Sequence, residues 1–522
     1  MTTQPQGGTH LRLPVRPWPR AAAAVVAGAL PALAFPTPSL WWLAYAALVP
    51  WLSLIRSAPT ARRAALDGWL GGGGFLLAVH HWLLPSLHVF ILVLAALLGL
   101  LWAPWGVLVK RLLGGTPGPG RAAVALLVVP SGWLMVELAR SWEYLGGPWG
   151  LFGASQWQVA PALKIASVGG IWLVSFLLVA VNTAVSTAIW APRARITGLI
   201  GLAGCAAVVA GVWWWAPSPR EAGTVRIAVV QPGIVEGAGS VQRRFDRQEE
   251  LTRQLAGQRV DLVVWGESSV GGDLAGHPEL RDRLTALSRA VGADLLVNVD
   301  ARRSDRPGIF KSSVLVGPGG PTGDRYDKMR LVPFGEYVPA RSVLGWATSV
   351  GKAAGEDRKR GDRQVVMHLP PGPGVPGGLR IGPLVCFESA FPDMSRQLAR
   401  DGAQLIVAQS STSTFQNSWA PWQHASLAAL RAAETWRPVV HATLTGVSTV
   451  ADPRGRAVGA PLGPDRSTVA VRDVPLAGGT SPYARYGDWI VLVAFAVVVC
   501  TGAFEGARVI RRRVRKPAPE RP

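Results

Sequence analysis

The sequence predicts a multi-pass α-helical membrane domain followed by an α/β domain, with one more membrane helix after it. Three observations carry this. Of the 522 residues, 49% are hydrophobic, with 23 Trp and a mean hydropathy of +0.25, which is high for a soluble chain. Seven apolar runs follow one another between residues 21 and 215. From about residue 217 short apolar strands alternate with helical stretches, the pattern of an α/β domain with buried strands.

Residues 1–20 are polar and rich in Pro and Arg, and are expected to be a disordered cytoplasmic N-terminus. The apolar runs lie at 21–35, 40–55, 66–84, 89–108, 122–138, 165–190 and 196–215, making a membrane domain of about seven helices over 21–216. A bilayer core needs roughly 20 apolar residues per helix, so the first run is marginal. Pro31 breaks it and more spans follow directly, which argues against a cleaved leader. A last run at 489–504 places a C-terminal membrane helix within 486–507, ahead of a basic cytoplasmic tail, 508–522.

Basic residues mark the orientation. Arg12, Arg16 and Arg20 precede the first run, and Arg56, Arg62 and Arg63 lie between the second and third. Lys110, Arg111 and Arg121 follow the fourth, Arg193 and Arg195 the sixth, and Arg508, Arg511, Arg512, Arg513, Arg515 and Lys516 the last. The connections 36–39 and 85–88 carry no Lys or Arg. By the positive-inside rule both termini are cytoplasmic and residues 217–485 lie outside. The net charge of +21 is therefore read as membrane orientation rather than nucleic-acid binding, because it is not gathered on one aromatic-rich basic domain.

In the α/β region, strands are predicted at 225–230, 261–265, 294–299, 384–386, 404–408, 439–443 and 447–450. Helices are predicted around 243–255, 278–291, 392–401 and 422–435. Periodicity alone leaves the choice between a doubly wound sheet and a sandwich open. The run Gly71–Gly74 has no strand before it and is read as helix packing or a kink, not a phosphate loop.

The chemistry centres on Cys386. Only three cysteines occur, and Cys205 and Cys500 lie inside apolar runs. Cys386 ends Ile381-Gly-Pro-Leu-Val385 and is followed by Phe387-Glu388-Ser389, so a strand delivers one thiol into a turn, as a protein displays a nucleophile. Asp261-Leu-Val-Val-Trp-Gly-Glu267 puts a carboxylate just past another strand. Tyr326-Asp-Lys328 and Leu331-Val-Pro-Phe-Gly-Glu336-Tyr-Val-Pro339 supply a lysine and a further carboxylate. Taken singly these are as well read as a buried Cys, a solvated Glu and a surface Lys. Ser410, Ser411 and Ser413 have no Gly-x-Ser-x-Gly elbow, and His80, His81, His88, His368, His424 and His441 show no ligand spacing with nearby Cys or carboxylates.

Together the three segments resemble the nitrilase superfamily, whose sites use a Glu, a Lys and a Cys in that chain order. The stretch from Lys328 to Pro339 resembles more closely the apolipoprotein N-acyltransferase family of bacterial membranes. Glu137-Leu-Ala-Arg140 and the segment from Gly146 to Gln156, with Trp149, resemble it too, and soluble nitrilases have no such segment. The resemblance runs from about residue 20 to 505. It implies an α/β/β/α nitrilase-like sandwich over 217–485, on the extracytoplasmic face of the bacterial cytoplasmic membrane. It also implies Cys386 as nucleophile, Glu267 as general base, and Lys328 as the cation that lowers the thiol pKa and meets the oxyanion with the Phe387 N–H. Glu336 and Glu388 become supporting residues, with structural salt bridges as the competing reading. Trp149, Gln156, Trp265, Trp422 and His424 become candidate substrate contacts.

The implied reaction has two steps: a phospholipid gives an acyl chain to Cys386, and the α-amine of a lipoprotein's diacylglyceryl-cysteine takes it from the thioester. A monomer is expected, with no cofactor and no metal. The chain departs from the family at Trp265-Gly266-Glu267, where Trp-Pro-Glu is usual, at Phe387, where tyrosine is common, and at Ser410-Ser-Thr-Ser-Thr-Phe415, in place of an Asn-Asp-x-Trp-Phe run. A membrane-tethered amidase and a non-catalytic lipid- or lipoprotein-binding relative remain as alternatives.

Overall fold

The computed structural model describes residues 17–345, 355–372 and 374–514. The expected disordered segment before Pro17 and the tail residues Arg515 and Lys516 lie outside these.

Residues 17–215 are largely helical: α1 (Pro17–Ala29), α2 (Val49–Arg56), α3 (Ala61–His80), α4 (Leu84–Leu87), α5 (Phe90–Gly99), α6 (Trp102–Leu113), α7 (Pro119–Arg140), α8 (Ala160–Trp190) and α9 (Arg195–Trp215). Helix α1 begins inside the segment expected to be disordered, because proline fits the first turn of a helix, where no N–H is needed. The first two apolar runs do not become single long helices. Pro31 follows α1 in a 3-10 turn, Leu30–Ala34, and Trp41–Tyr45 forms a second such turn before α2. By length and composition alone, four of the described helices are long and apolar enough to cross a membrane: α7, α8, α9 and the last helix. The pair α5 and α6, bent by 41°, makes a fifth if counted as one span. The glycine run lets α3 approach α1, since a Cβ on Gly74 would come 2.1 Å from Val25 O. Trp51, Trp102, Trp105 and Trp133 stack at the centre, with ring centroids 5.2–6.5 Å apart.

The basic connections gather at one end of this bundle. Asp67 is buried between Arg20 and Arg63, each at 2.8 Å. Arg56 donates to Gly115 O and Trp190 O, and Lys110 to Ala58 O. The opposite end carries His80, Trp82 and residues 142–152 and meets the second domain, where Trp82 Nε1 donates to Gln423 Oε1 at 3.1 Å.

That domain is two sheets between helices. One sheet has the order β11-β1-β2-β3-β4-β5, built from β1 (Arg220–Gln231), β2 (Leu262–Trp265), β3 (Asp294–Arg302), β4 (Ile309–Gly317), β5 (Gly320–Asp327) and β11 (Thr468–Gly478). The other runs β10-β9-β8-β7-β6, from β6 (Met367–Leu369), β7 (Leu379–Val385), β8 (Leu405–Ser410), β9 (Val439–Thr443) and β10 (Thr449–Ala451). Alternation along each strand sorts the side chains. In β2, Leu262 and Val264 enter the core between the sheets, whereas Val263 and Trp265 face α10 (Ser240–Arg253) and α11 (Pro278–Val291).

On the other outer face lie α13 (Pro392–Arg400) and α14 (Ala420–Thr435), with α12 (Arg341–Leu344) and α15 (Pro482–Tyr486) in connections. Leu398, Leu427 and Leu430 belong to the same apolar cluster as Trp133 and Leu178 of the membrane helices, so this layer and the bundle share one core. At the junction Glu434 accepts from Ile171 N at 2.8 Å, where α8 kinks at Gly169 and Gly170. The chain then returns through α16 (Trp489–Val514), which ends seven residues beyond the expected 507 and runs into the basic tail, whose cations suit a helix C-terminus. The architecture is the expected helical membrane domain with an α/β/β/α domain. Among the strands, β4, β5, β6 and β11 are additional to those predicted.

Candidate active site

Cys386 follows the last residue of β7 and opens a 3-10 turn, Cys386–Ala390, with φ +51°. A non-glycine residue in the left-handed region costs of order 1 kcal/mol and persists where its surroundings hold it. Glu388 supplies that hold. Its Oε1 accepts from Tyr326 Oη at 2.7 Å, Met329 N at 2.8 Å and Arg330 N at 3.0 Å, and its Oε2 accepts from Val385 N at 2.8 Å. It thus ties the turn to the segment carrying Lys328 through hydrogen bonds rather than through a salt bridge. From α14, His424 Nε2 lies 3.0 Å from Cys386 O and 2.9 Å from Ser389 Oγ. Burial pushes the His424 imidazole down to about 4, so it is neutral there.

Beside the thiol lies a buried cluster of charge. Lys328 Nζ, fully buried, is 2.8 Å from Glu336 Oε1 and 3.3 Å from Glu267 Oε1. Sequence reasoning missed a second ammonium: Lys311 Nζ is 2.7 Å from Glu267 Oε1 and 2.9 Å from Glu336 Oε1. It sits in β4, where Lys311-Ser-Ser313 interrupts the apolar pattern between Ile309-Phe310 and Val314-Leu-Val316. Its only clue was the cross-strand pairing with β5, which no single sequence displays. Burial alone would raise the two carboxyls, but Lys311 and Lys328 outweigh it, holding Glu267 below the usual range and Glu336 down to about 2. Burial would lower Lys328, and Glu336 and Glu267 more than reverse that. Burial, then Glu267, push the Cys386 thiol up to about 12 against the pull of Lys328 and Lys311. The resting thiol is therefore protonated beside an ionised carboxylate, the arrangement a general base needs.

The other candidates fall in two groups. Trp149 is buried, donates to Gln423 Oε1 at 2.9 Å and lies 5.1 Å from the His424 ring, so it belongs to the wall of the site. Phe387 packs edge-on against Phe391 at 4.9 Å. Gly147 of the membrane domain lies on both rings at φ +68°, where a Cβ would be 2.6 Å from Phe387 Cζ. Trp422 is half-buried on α14. Two candidates point elsewhere. Trp265 packs on Phe245 and donates to Thr252 Oγ1, because strand alternation turns it to the outer helix layer. Gln156 is buried in the membrane domain and donates to Trp41 O at 2.9 Å. Gly266 is explained: its backbone lies against β9, and a Cβ there would come 2.0 Å from Leu444 N. The divergent segment after β8 sits beside the base, since Ser410 O accepts from Glu267 N at 3.1 Å.

A thiol on a strained strand-to-helix turn, facing carboxylates and ammonium groups on a two-sheet sandwich, defines a nitrilase-type domain, here fused to membrane helices. Comparison with known proteins agrees. Residues 226–481 match the carbon-nitrogen hydrolase family, and residues 27–184 match the apolipoprotein N-acyltransferase N-terminal domain. The apolipoprotein N-acyltransferase of Geobacter metallireducens is 30% identical over 92% of this chain and 94% of its own length. That of Azotobacter vinelandii is 30% identical over 96% and 97%. Among solved structures, a CN-hydrolase superfamily protein from Xanthomonas campestris matches 48% of this chain and 91% of its own, at 20% identity and a TM-score of 0.36. The chain belongs to the apolipoprotein N-acyltransferase family, and it is an acyltransferase.

Proposed function

We propose that this protein N-acylates the α-amine of a lipoprotein's diacylglyceryl-cysteine by ping-pong chemistry through a Cys386 thioester. In the first step Cys386 Sγ attacks the ester carbonyl of a phospholipid and its proton passes to Glu267. Lys328 and the Phe387 N–H meet the oxyanion. The carbon–oxygen ester bond then breaks, and Glu267 returns the proton to the departing lysophospholipid alkoxide. In the second step the lipoprotein amine attacks the thioester, Glu267 takes a proton from it, and the thiolate leaves and is reprotonated. One observation carries this reading: Gly147 of the membrane domain packs on Phe387 in the turn bearing Cys386, so the nucleophile turn lies where the two domains meet, as a site for lipid-anchored substrates must.

The orientation is part of the proposal. The basic end of the bundle, with Arg20, Arg56, Arg63 and Lys110, faces the cytoplasm, and the catalytic domain at the other end lies outside it, in a monomer.

Incubation with phospholipid labelled in its acyl chain tests the chemistry. It should give an acyl-protein that neutral hydroxylamine cleaves and that a diacylglyceryl-cysteinyl peptide discharges. Cys386→Ala should not label. Labelling that persists in Cys386→Ala, or a thioester the peptide cannot discharge, would overturn the reading.

A further inference from the structure

Two charged groups of the cluster, Glu336 and Lys311, have no part in the steps above. Lys311 is 13% exposed, and its Nζ is closer to Glu267 Oε1 (2.7 Å) than Lys328 Nζ is (3.3 Å). The groups around the base come from six elements. Lys311 is on β4, Lys328 follows β5, and Glu336 stands in the turn after it. Cys386 follows β7, and His424 comes from α14. Behind Lys311, Asp300 of β3 lies 3.9 Å from its Nζ and 3.4 Å from Arg358. Remove Lys311, and two buried carboxylates share one ammonium. Carboxylates sharing a site cannot both stay ionised easily, and one is driven to take a proton. A base that starts protonated cannot accept the thiol proton.

We propose that Lys311 is a positioning residue for acyl transfer: by donating to Glu267 Oε1 and Glu336 Oε1 it keeps Glu267 a carboxylate, fixed for the Cys386 proton. This rests on the thioester reading. Charge conservation supports it. Before attack, Glu267 and Glu336 balance the two ammonium groups and the thiol is neutral. As the sulfur–carbon bond forms, the thiol proton moves to Glu267 and one negative charge passes to the carbonyl oxygen. The cluster is neutral before and after. Without Lys311 two ionised carboxylates would leave an uncompensated negative charge in a buried site where such charge is poorly screened, and a proton taken up by Glu267 would relieve it. The neighbouring effects run the same way: burial would raise the Glu267 carboxyl, and Lys311 is the largest influence bringing it down.

The test uses the full-length protein in detergent, with Lys311→Gln, which keeps a donor without the charge, and Lys311→Arg, which keeps the charge. Acyl-enzyme formation from labelled phospholipid is followed from acid to neutral pH. In Lys311→Gln the acid limb should move up by about one unit or more, so the defect is about tenfold on the acid side and shrinks as pH rises. Lys311→Arg should leave the limb in place. A purely structural role would lower the whole profile by one factor and move no limb. Infrared titration of the protonated-carboxyl band that Glu267→Gln removes reads the same ionisation with no acyl donor. Limb and band unmoved in Lys311→Gln, or moved equally in Lys311→Arg, overturn the assignment; if Lys311→Gln does not fold, Lys311→Arg decides by the same limb and band. A band that shifts in Lys311→Gln, where wild type forms no acyl-enzyme, would instead reject the thioester reading and leave the role of Lys311 standing.

Discussion

Lys311 and Lys328 are cross-strand neighbours that share the same two oxygens. Lys328 N donates to Lys311 O at 2.8 Å where β4 and β5 pair, and both ammonium groups contact Glu267 Oε1 and Glu336 Oε1. The antiparallel register puts both side chains on one face, and the two carboxylates keep the ammonium groups from repelling each other. Of the two, Lys328 is fully buried and is the one assigned to the oxyanion.

Lys328→Arg should therefore fail although it keeps the charge. A planar guanidinium cannot replace a compact ammonium held by Glu336 at 2.8 Å in a fully buried position. Losing one oxyanion donor is typically worth ~10²–10³ in rate. Single-turnover acylation should show a loss of that size, with phospholipid binding unchanged.

The pH dependence has a definite sign. Glu267 is held below the usual carboxylate range and the thiol is pushed up to about 12, so wild-type acylation should rise through a low-pH limb and be flat near neutrality. In Glu267→Gln the thiol must ionise by itself. Its residual rate should climb about tenfold per pH unit through neutrality. A flat profile in that variant would remove Glu267 from the role of base.

At the domain junction Arg431 and Glu434 form a pair buried on both sides, with 2.8 Å between Arg431 Nε and Glu434 Oε2. Arg431 also donates to Ala390 O, and Glu434 accepts from Ile171 N, so the pair joins the nucleophile turn to the α8 kink. Arg431→Met should cost about 3–5 kcal/mol by leaving a buried carboxylate unpaired, and the double change to Met should recover much of that. Thermal unfolding in detergent measures both.

Reporter fusions at Gly239 and after the C-terminal helix should report opposite sides of the membrane. Gly239 lies in the catalytic domain, whereas the basic clusters assign the chain end to the cytoplasm. Finding both on one side would reject the orientation and the access of lipoproteins to Cys386 that depends on it.

Much of this was legible in the chain. Strands β2, β7, β8 and β9 are short apolar runs between turn residues, and Cys386 and Glu267 stand at the ends of two of them, so the eye finds them together. Lys328 and Glu336 were found because they lie in a motif. Lys311 was not, because it lies in no motif and its carboxylate partners stand far from it along the chain. Trp265 shows the opposite failure: it is two residues from the base, but a strand turns alternate residues to opposite faces.

Hydropathy, periodicity and motif spacing are local properties of a chain, and they were enough to predict apolar helices, the alternating domain and Glu267, Lys328 and Cys386 as candidates. Three features emerge only in three dimensions: two lysines share the carboxylates, Glu388 accepts four hydrogen bonds, and Gly147 packs on Phe387 of the nucleophile turn. Those contacts join elements far apart in the chain. Charge pairing and close packing act through space, and no local pattern records which distant groups folding will bring within 3 Å of each other.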